Sequence, residues 1–228
     1  MPPKNWPPTL PYLTTPVYSP TLIATHLTSL RTRPPNTPLL PPETPKGPCS
    51  LVKITPITTP SHPANGQSGL FATRDLKPGT FILLYIGEIH GSAISVSSSS
   101  SEDPSSSTGL DTPGSVQTEN ADDIKDKQSD PHAHSNYDLS LDRLSGLGID
   151  ADKRGNEARF INDYRGVAAK ANAEFLDVWD GKRGERGIGV WVLREGKNVK
   201  GKGGKGIRKG EEILVSYGRG FWGARREE

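Results

Sequence analysis

The sequence predicts a mainly β fold, an α+β arrangement with little helix, carried on residues 50–222. Three observations point there. Apolar residues come in short runs, several of them alternating with polar ones, and turns containing Gly or Pro separate the runs. Only 32% of the 228 residues are hydrophobic, beside 25 Gly and 21 Pro, so a packed core cannot run from end to end.

Residues 1–48 are rich in Pro and Thr, with Pro-Pro pairs at 2–3, 7–8, 34–35 and 41–42. Proline has no amide donor for a helix interior or a central strand. This arm is expected to be an extended tail, with Trp6 and Tyr12 as the only candidate anchors. Periodic structure begins with Leu51-Val52-Lys53-Ile54, an alternating strand. A strand at Leu70–Thr73 follows, then a Lys77-Pro78-Gly79 turn and a second strand at Phe81–Ile86. Pro fixes one turn angle and Gly accepts the other. The Phe81–Ile86 run is almost wholly apolar, which predicts a central, buried strand.

Residues 91–134 carry the serine run 97–101 and scattered acids from Asp111 to Asp130. They lack the apolar side chains to offset ordering entropy, so a disordered surface insertion is expected. Strands resume at Asn136–Leu141, at Asn172–Trp179 and at Gly189–Arg194, and Ile149–Ala151 reads as a short strand or a turn. Residues 195–206 read as a Gly/Lys hairpin tip. The turn Lys209-Gly210-Glu211 and a strand at Glu212–Ser216 close the domain, and 223–228 form a charged tail.

The single cysteine, Cys49, excludes an intrachain disulfide and a zinc site built on cysteines. No secretion signal and no apolar run of membrane-spanning length are visible. A soluble intracellular protein is the expectation.

Three separated strings carry a family resemblance. Residues 69–88 contain GLFAT, LKPGT and YIGE; residues 149–163 read IDADKRGNEARFIND; residues 206–222 read GIRKGEEILVSYGRGFW. Each is weak alone. Together, in this order and at these intervals, they resemble the SET domain, a family of protein-lysine methyltransferases. The resemblance implies a β-clip-like fold of small sheets with a C-terminal pseudoknot. The second and third strings would be threaded together there, bringing Asn162 beside Tyr217. It further implies S-adenosylmethionine as methyl donor on one face and a protein lysine entering from the other.

Several residues take roles from the resemblance. Tyr217 is the expected catalytic tyrosine, its hydroxyl directed at the reacting methyl and the lysine nitrogen. Asn162 would bind the amino-acid part of the donor. Asp163 stands where the family usually has His, and its main chain would meet the adenine edge. Arg159 would contact the donor or buttress the pseudoknot. Ser68, Gly69 and Leu70 would cradle the donor with main-chain groups, although the family's Gly-x-Gly is here Gln67-Ser68-Gly69. Tyr137 belongs at the donor pocket or the lysine channel. Trp222 would cover the adenine. Phe221 and Val215 would wall the channel, and a small Val leaves room for added methyls. Tyr85, Phe160 and Ile161 are read as core, and Glu88 as a structural partner for a neighbour.

The chemistry suits these residue types. In-line transfer from a sulfonium to an amine needs alignment and a neutral amine, not a metal. Burial beside a positive charge lowers a lysine's pKa. The cysteine cassettes that bind zinc in relatives are absent, so the arm or the substrate must cover what they cover.

Residues 194–209 hold seven Lys or Arg against Glu195 alone. They form either a solvated hairpin tip or a nonspecific nucleic-acid contact. In the latter case a histone tail on a nucleosome becomes an attractive substrate, and the nucleus the expected location. Two other readings remain at this stage: an inactive SET fold serving as a binding module, and a mainly disordered interaction protein.

Overall fold

A computed structural model describes residues 1–91, 131–132, 135–194 and 205–218. Eleven strands, one short helix and one 3₁₀ turn make up the described chain. Strand β1 is Val17–Tyr18, helix α1 Ala24–Leu30, β2 Val52–Pro56, β3 Ser68–Ala72, β4 Phe81–Tyr85 and β5 Glu88–Gly91. Then come β6 at Asp138–Asp142, β7 at Leu147–Asp150, the 3₁₀ turn η1 at Glu157–Phe160, β8 at Asn162–Asp163, β9 at Ala173–Asp180, β10 at Glu185–Val192 and β11 at Leu214–Val215.

Four small sheets surround one core. Their orders are β1-β5-β7-β6, β4-β10-β9, β8-β11 and β2-β3. Leu70, Ile54, Ile82, Ile149, Val190 and Ile213 fill the space between them. The mainly β expectation holds, and a packed core replaces the reading of a mainly disordered chain. The Lys77–Gly79 turn forms as expected, with Gly79 at φ +76°.

Strand β4 corrects one expectation. It is buried, but it lies at the edge of its sheet, with β10 in the centre. Its free edge is covered by side chains. Asn156 Nδ2 donates to the Leu84 carbonyl at 2.8 Å, the Ile86 N–H donates to Asn156 Oδ1 at 3.1 Å, and Cys49 Sγ donates to the Ile82 carbonyl at 3.2 Å. One carboxamide does the work of a neighbouring strand, which meets the need of buried main-chain groups for partners.

The arm is not a loose tail. Strand β1 runs parallel to β5, with Val17 opposite Glu88. Trp6 is buried, edge-on to Tyr12 at 5.0 Å and to Phe160 at 5.6 Å. Leu30 of α1 is fully buried. Aromatic and leucine anchors spaced along a Pro-rich segment dock it without any regular period.

The insertion expected over 91–134 leaves from the end of β5 and returns before β6; apart from Gly91, Pro131 and His132 it lies outside the described residues. The hairpin tip expected over 195–206 likewise lies outside the described residues, apart from Lys205 and Gly206. Among the described residues no helix is long and apolar enough to cross a membrane.

Candidate active site

The two-residue strands β8 and β11 join distant parts of the chain. They pair in parallel, Asn162 opposite Leu214 and Asp163 opposite Val215. Flanking bonds lengthen the seam: Tyr164 N–H donates to the Val215 carbonyl at 3.0 Å, and Asn172 N–H to the Leu214 carbonyl at 3.0 Å. The Asn172 side chain completes it, accepting from Leu214 N–H at 2.8 Å and donating to the Glu212 carbonyl at 2.7 Å.

Tyr217 lies just beyond this seam, half-buried against the core. Its main-chain N–H donates to Asp163 Oδ2 at 2.7 Å, and its hydroxyl donates to the Ile161 carbonyl at 2.6 Å. The segment around Asn162 therefore holds Tyr217 at both ends. Asp163 is 7% exposed and uses both carboxylate oxygens as acceptors. Oδ1 takes the Arg165 N–H at 2.8 Å, and the Arg165 guanidinium reaches Oδ2 at 2.8 Å. In this chain the side chain at the family's His position anchors the main chain of the tyrosine.

Asn162 itself faces β3. Its Nδ2 donates to Glu212 Oε1 at 2.8 Å and approaches the Ser68 carbonyl at 3.5 Å. Its Oδ1 has no partner among the described residues. Glu212 Oε2 meets His62 Nε2 at 3.0 Å. Gly69 makes this convergence possible: a Cβ there would lie 2.5 Å from Glu212 Oε1. Leu70 is placed differently from its neighbours. Its side chain enters the core, and its carbonyl accepts from Ile213 N–H at 2.7 Å.

A second cluster adjoins the first. Tyr85 is buried and donates its hydroxyl to the Tyr137 carbonyl at 2.6 Å. Burial pushes its phenol well above the ordinary value, and the nearby Asp150 and Tyr217 push in the same direction. Tyr85 is thus a neutral donor within electrostatic reach of Tyr217. Arg159 lies over the Tyr137 ring at 4.2 Å and donates to the carbonyls of Ala151 at 2.9 Å and Asp152 at 3.2 Å. It braces η1 against the end of β7. Val215 is fully buried, and Phe221 and Trp222 lie outside the described residues. Glu88 pairs with Arg154 at 3.5 Å.

The family model for the SET domain matches residues 67–218, more than half of the chain. The chain belongs to the SET-domain family. Members of this family are protein-lysine methyltransferases, and the threaded β8–β11 seam is the pseudoknot that the family resemblance implies. No curated protein matches this SET-domain chain. Similar solved structures come from the polycomb repressive complex 2 of Chaetomium thermophilum. A crystal structure of that complex gives 21% identity and a TM-score of 0.44, covering 76% of this chain and 16% of that one. The complex in an autoinhibited conformation bound to S-adenosylmethionine gives 21% and 0.43 over 76% and 16%. The complex bound to GSK126 gives 20% and 0.45 over 80% and 18%. This SET-domain chain spans less than a fifth of the length of those chains.

Glu212, His62 and Asn156 escape the sequence reading. Glu212 stands in plain view as the second acid of Gly-Glu-Glu, but there it reads as part of a turn. His62 lies in a Pro-rich stretch without periodicity. Asn156 precedes η1 and reads as an ordinary turn residue.

Proposed function

We propose that this SET domain transfers a methyl group from S-adenosylmethionine to the side-chain amine of a lysine in a protein substrate. The observation that carries the reading is the attachment of Tyr217 to Ile161 and Asp163, on either side of Asn162.

The residues present fit such a donor. Among the described residues Asn162 Oδ1 has no donor, which leaves it as an acceptor, and the glycine at 69 lets β3 close upon Glu212 and Asn162. We assign the main chain of Ser68, Gly69 and Leu70, together with Asn162, to the amino-acid part of the donor. The main chain of Asp163 serves the adenine edge, and Trp222 its face. Arg159 and Tyr137 flank the pocket. Tyr137, Val215, Tyr217 and Phe221 wall the lysine passage. When bound, S-adenosylmethionine supplies a methyl on a cationic sulfur, open to in-line displacement.

The chain's own residues then act by alignment and by setting charge. The Tyr217 hydroxyl donates its proton to Ile161, and we assign its oxygen the part of acceptor for the reacting methyl and the amine. Weak CH···O contacts of this kind contribute about 0.5–1 kcal/mol each. Tyr85 stays neutral, so it offers an arriving ammonium no counter-charge. Loss of the lysine proton to water is favoured in such a place, and the neutral amine is the nucleophile.

A histone tail is the substrate we favour, with the nucleus as the place of action. The basic segment 194–209 supports this, since Arg194, Lys205, Arg208 and Lys209 frame it. A second reading, a module that binds donor or peptide without transfer, is favoured by Asp163 in place of the family's His. Labelled methyl donor with histones and with a cell lysate separates the two. Transfer that falls by about two orders of magnitude in Tyr217→Phe, at unchanged melting temperature, supports the enzyme. Donor binding with no labelled product in either mixture rejects it.

A further inference from the structure

The docked arm encloses a cavity on the side of β4 that Asn156 and Glu157 face. Its volume is about 680 Å³, within the range of sites that hold small organic molecules. The floor is made by β4, β9 and β10, and the roof by arm residues 12–16 and 39–47. Leu40, Pro41, Leu84, Ile86, Ile149 and Val178 give it an apolar body. Of the residues given a role in methyl transfer above, Tyr85 alone lines it; none of those assigned to hold the donor or wall the lysine passage does.

One wall carries the carboxylate of Glu157, which is 2% exposed. Oε1 accepts the Cys49 N–H at 2.8 Å, and Oε2 accepts the Tyr12 hydroxyl at 3.1 Å. Burial, and then the negative charge of Glu157, push the Tyr12 phenol above its ordinary value, so Tyr12 remains a neutral donor. No cation of the described residues lies within ion-pair distance of Glu157. A carboxylate offers about four acceptor positions, and two of these are filled here.

The other charges around the cavity are accounted for. Glu185 is paired with Arg183 at 2.8 Å and accepts the Tyr18 hydroxyl. Arg186 reaches Asp142 at 3.4 Å and Asp177 at 3.5 Å. Asp180 accepts the main-chain N–H groups of Lys182 and Arg183. Lys46 and Lys182 line the cavity as exposed side chains, where water and salt screen them. Glu157 is left as a desolvated negative charge beside an apolar cavity, and burying such a charge without a counter-ion is costly.

From this geometry we infer that the cavity beneath the arm binds a small organic amine: an apolar body against Leu84, Ile86 and Val178, with an ammonium donating to Glu157. This site is separate from the donor and lysine sites and does not depend on methyl transfer.

Three probes with one ring system test it by calorimetry on the full chain: tryptamine, its neutral alcohol tryptophol, and the anion indole-3-propionate. Tryptamine binds about tenfold or more tighter than tryptophol, the usual value of a hydrogen bond to a charged group, and indole-3-propionate does not bind. Glu157→Gln abolishes the difference between tryptamine and tryptophol. Tyr12→Phe removes a donor but keeps the carboxylate, so it preserves the preference. Equal binding of all three probes by the wild-type chain, or no binding of tryptamine at millimolar concentration, overturns the inference. So does a tryptamine preference that survives Glu157→Gln. The wild-type series alone decides if that variant fails to fold.

Discussion

Replacing Asp163 by Asn changes one atom, yet the structure predicts a large effect. Both carboxylate oxygens accept: Oδ1 from the Arg165 N–H, Oδ2 from the Tyr217 N–H, and the Arg165 guanidinium touches each at 3.1 and 2.8 Å. A carboxamide has a single acceptor oxygen. Whichever way it turns, its NH₂ faces a main-chain N–H in a site that is 7% exposed. The variant therefore loses one hydrogen bond to a charged acceptor and the ion pair with Arg165. At about 1.5–3 kcal/mol for a charged hydrogen bond, with the guanidinium half-exposed and screened, the loss is roughly 2–4 kcal/mol. In a chain of this size that lowers the melting temperature by roughly 5–15 °C. Where the amide turns its NH₂ toward the Tyr217 N–H, the tyrosine loses its main-chain anchor, and methyl transfer should fall by more than about tenfold even well below the melting point. Circular dichroism melts and initial rates with labelled donor measure both. A variant that melts within a degree of wild type, at an unchanged transfer rate, would show that Asp163 does not hold Tyr217.

Gly69→Ala should weaken donor binding, since a Cβ 2.5 Å from Glu212 Oε1 displaces the carboxylate that Asn162 and His62 share. Calorimetry should give an affinity loss of about tenfold, and an unchanged affinity argues against the Gly69–Glu212–Asn162 contact. Trp6→Ala removes the ring between Tyr12 and Phe160 and should cost about 3–5 kcal/mol in denaturant melts. Cleavage within residues 1–48 under limited proteolysis should accompany it, whereas equal resistance would mean the arm is not docked in solution. Burial is the first cause that raises the phenols of Tyr12, Tyr18 and Tyr85 above the ordinary 10.0. The folded state then binds more protons than the unfolded state above that pH. Their contribution is complete below about 10 and is lost as pH rises through the folded values. Of the six tyrosines, these three should resist ionisation in an ultraviolet titration of the folded chain, and all six ionising together near 10 would contradict it.

The strands that the sequence shows are those whose pattern is local. Leu51–Ile54 alternates, Phe81–Ile86 is a continuous apolar run, and Asn172–Trp179 mixes aromatic and β-branched residues; each is a strand within two residues of the expected span. Strand β10 starts four residues before the expected Gly189, because Glu185 and Arg186 carry charge that only their partners explain. Strands β5 and β8 are short and polar, and exist because another segment lies beside them. The apolar run of β4 predicts a central strand because such runs usually have strands on both sides. Here the carboxamide of Asn156 stands in for one of them, and a single side chain leaves no periodic trace. The arm misleads for a similar reason: proline content argues against regular structure but says nothing of docking by Trp6, Tyr12 and Leu30.

The site divides along the same line. Tyr217 and Asn162 are legible because they sit in strings with fixed neighbours, and their meeting follows from threading one string past the other. Glu212 is legible only as a turn residue, since its partners His62, Gly69 and Asn162 come from three other parts of the chain. This non-local carboxylate ties the site to the fold. It receives the Asn162 amide directly, and its own main-chain carbonyl is bound by Asn172, which in turn holds Leu214. Opening the β8–β11 seam would therefore release Asn162 and Tyr217 in one event. Stability of the seam and competence of the site should then fall together across substitutions at 163, 172 and 212. A set of variants in which melting temperature and donor affinity vary independently would separate them.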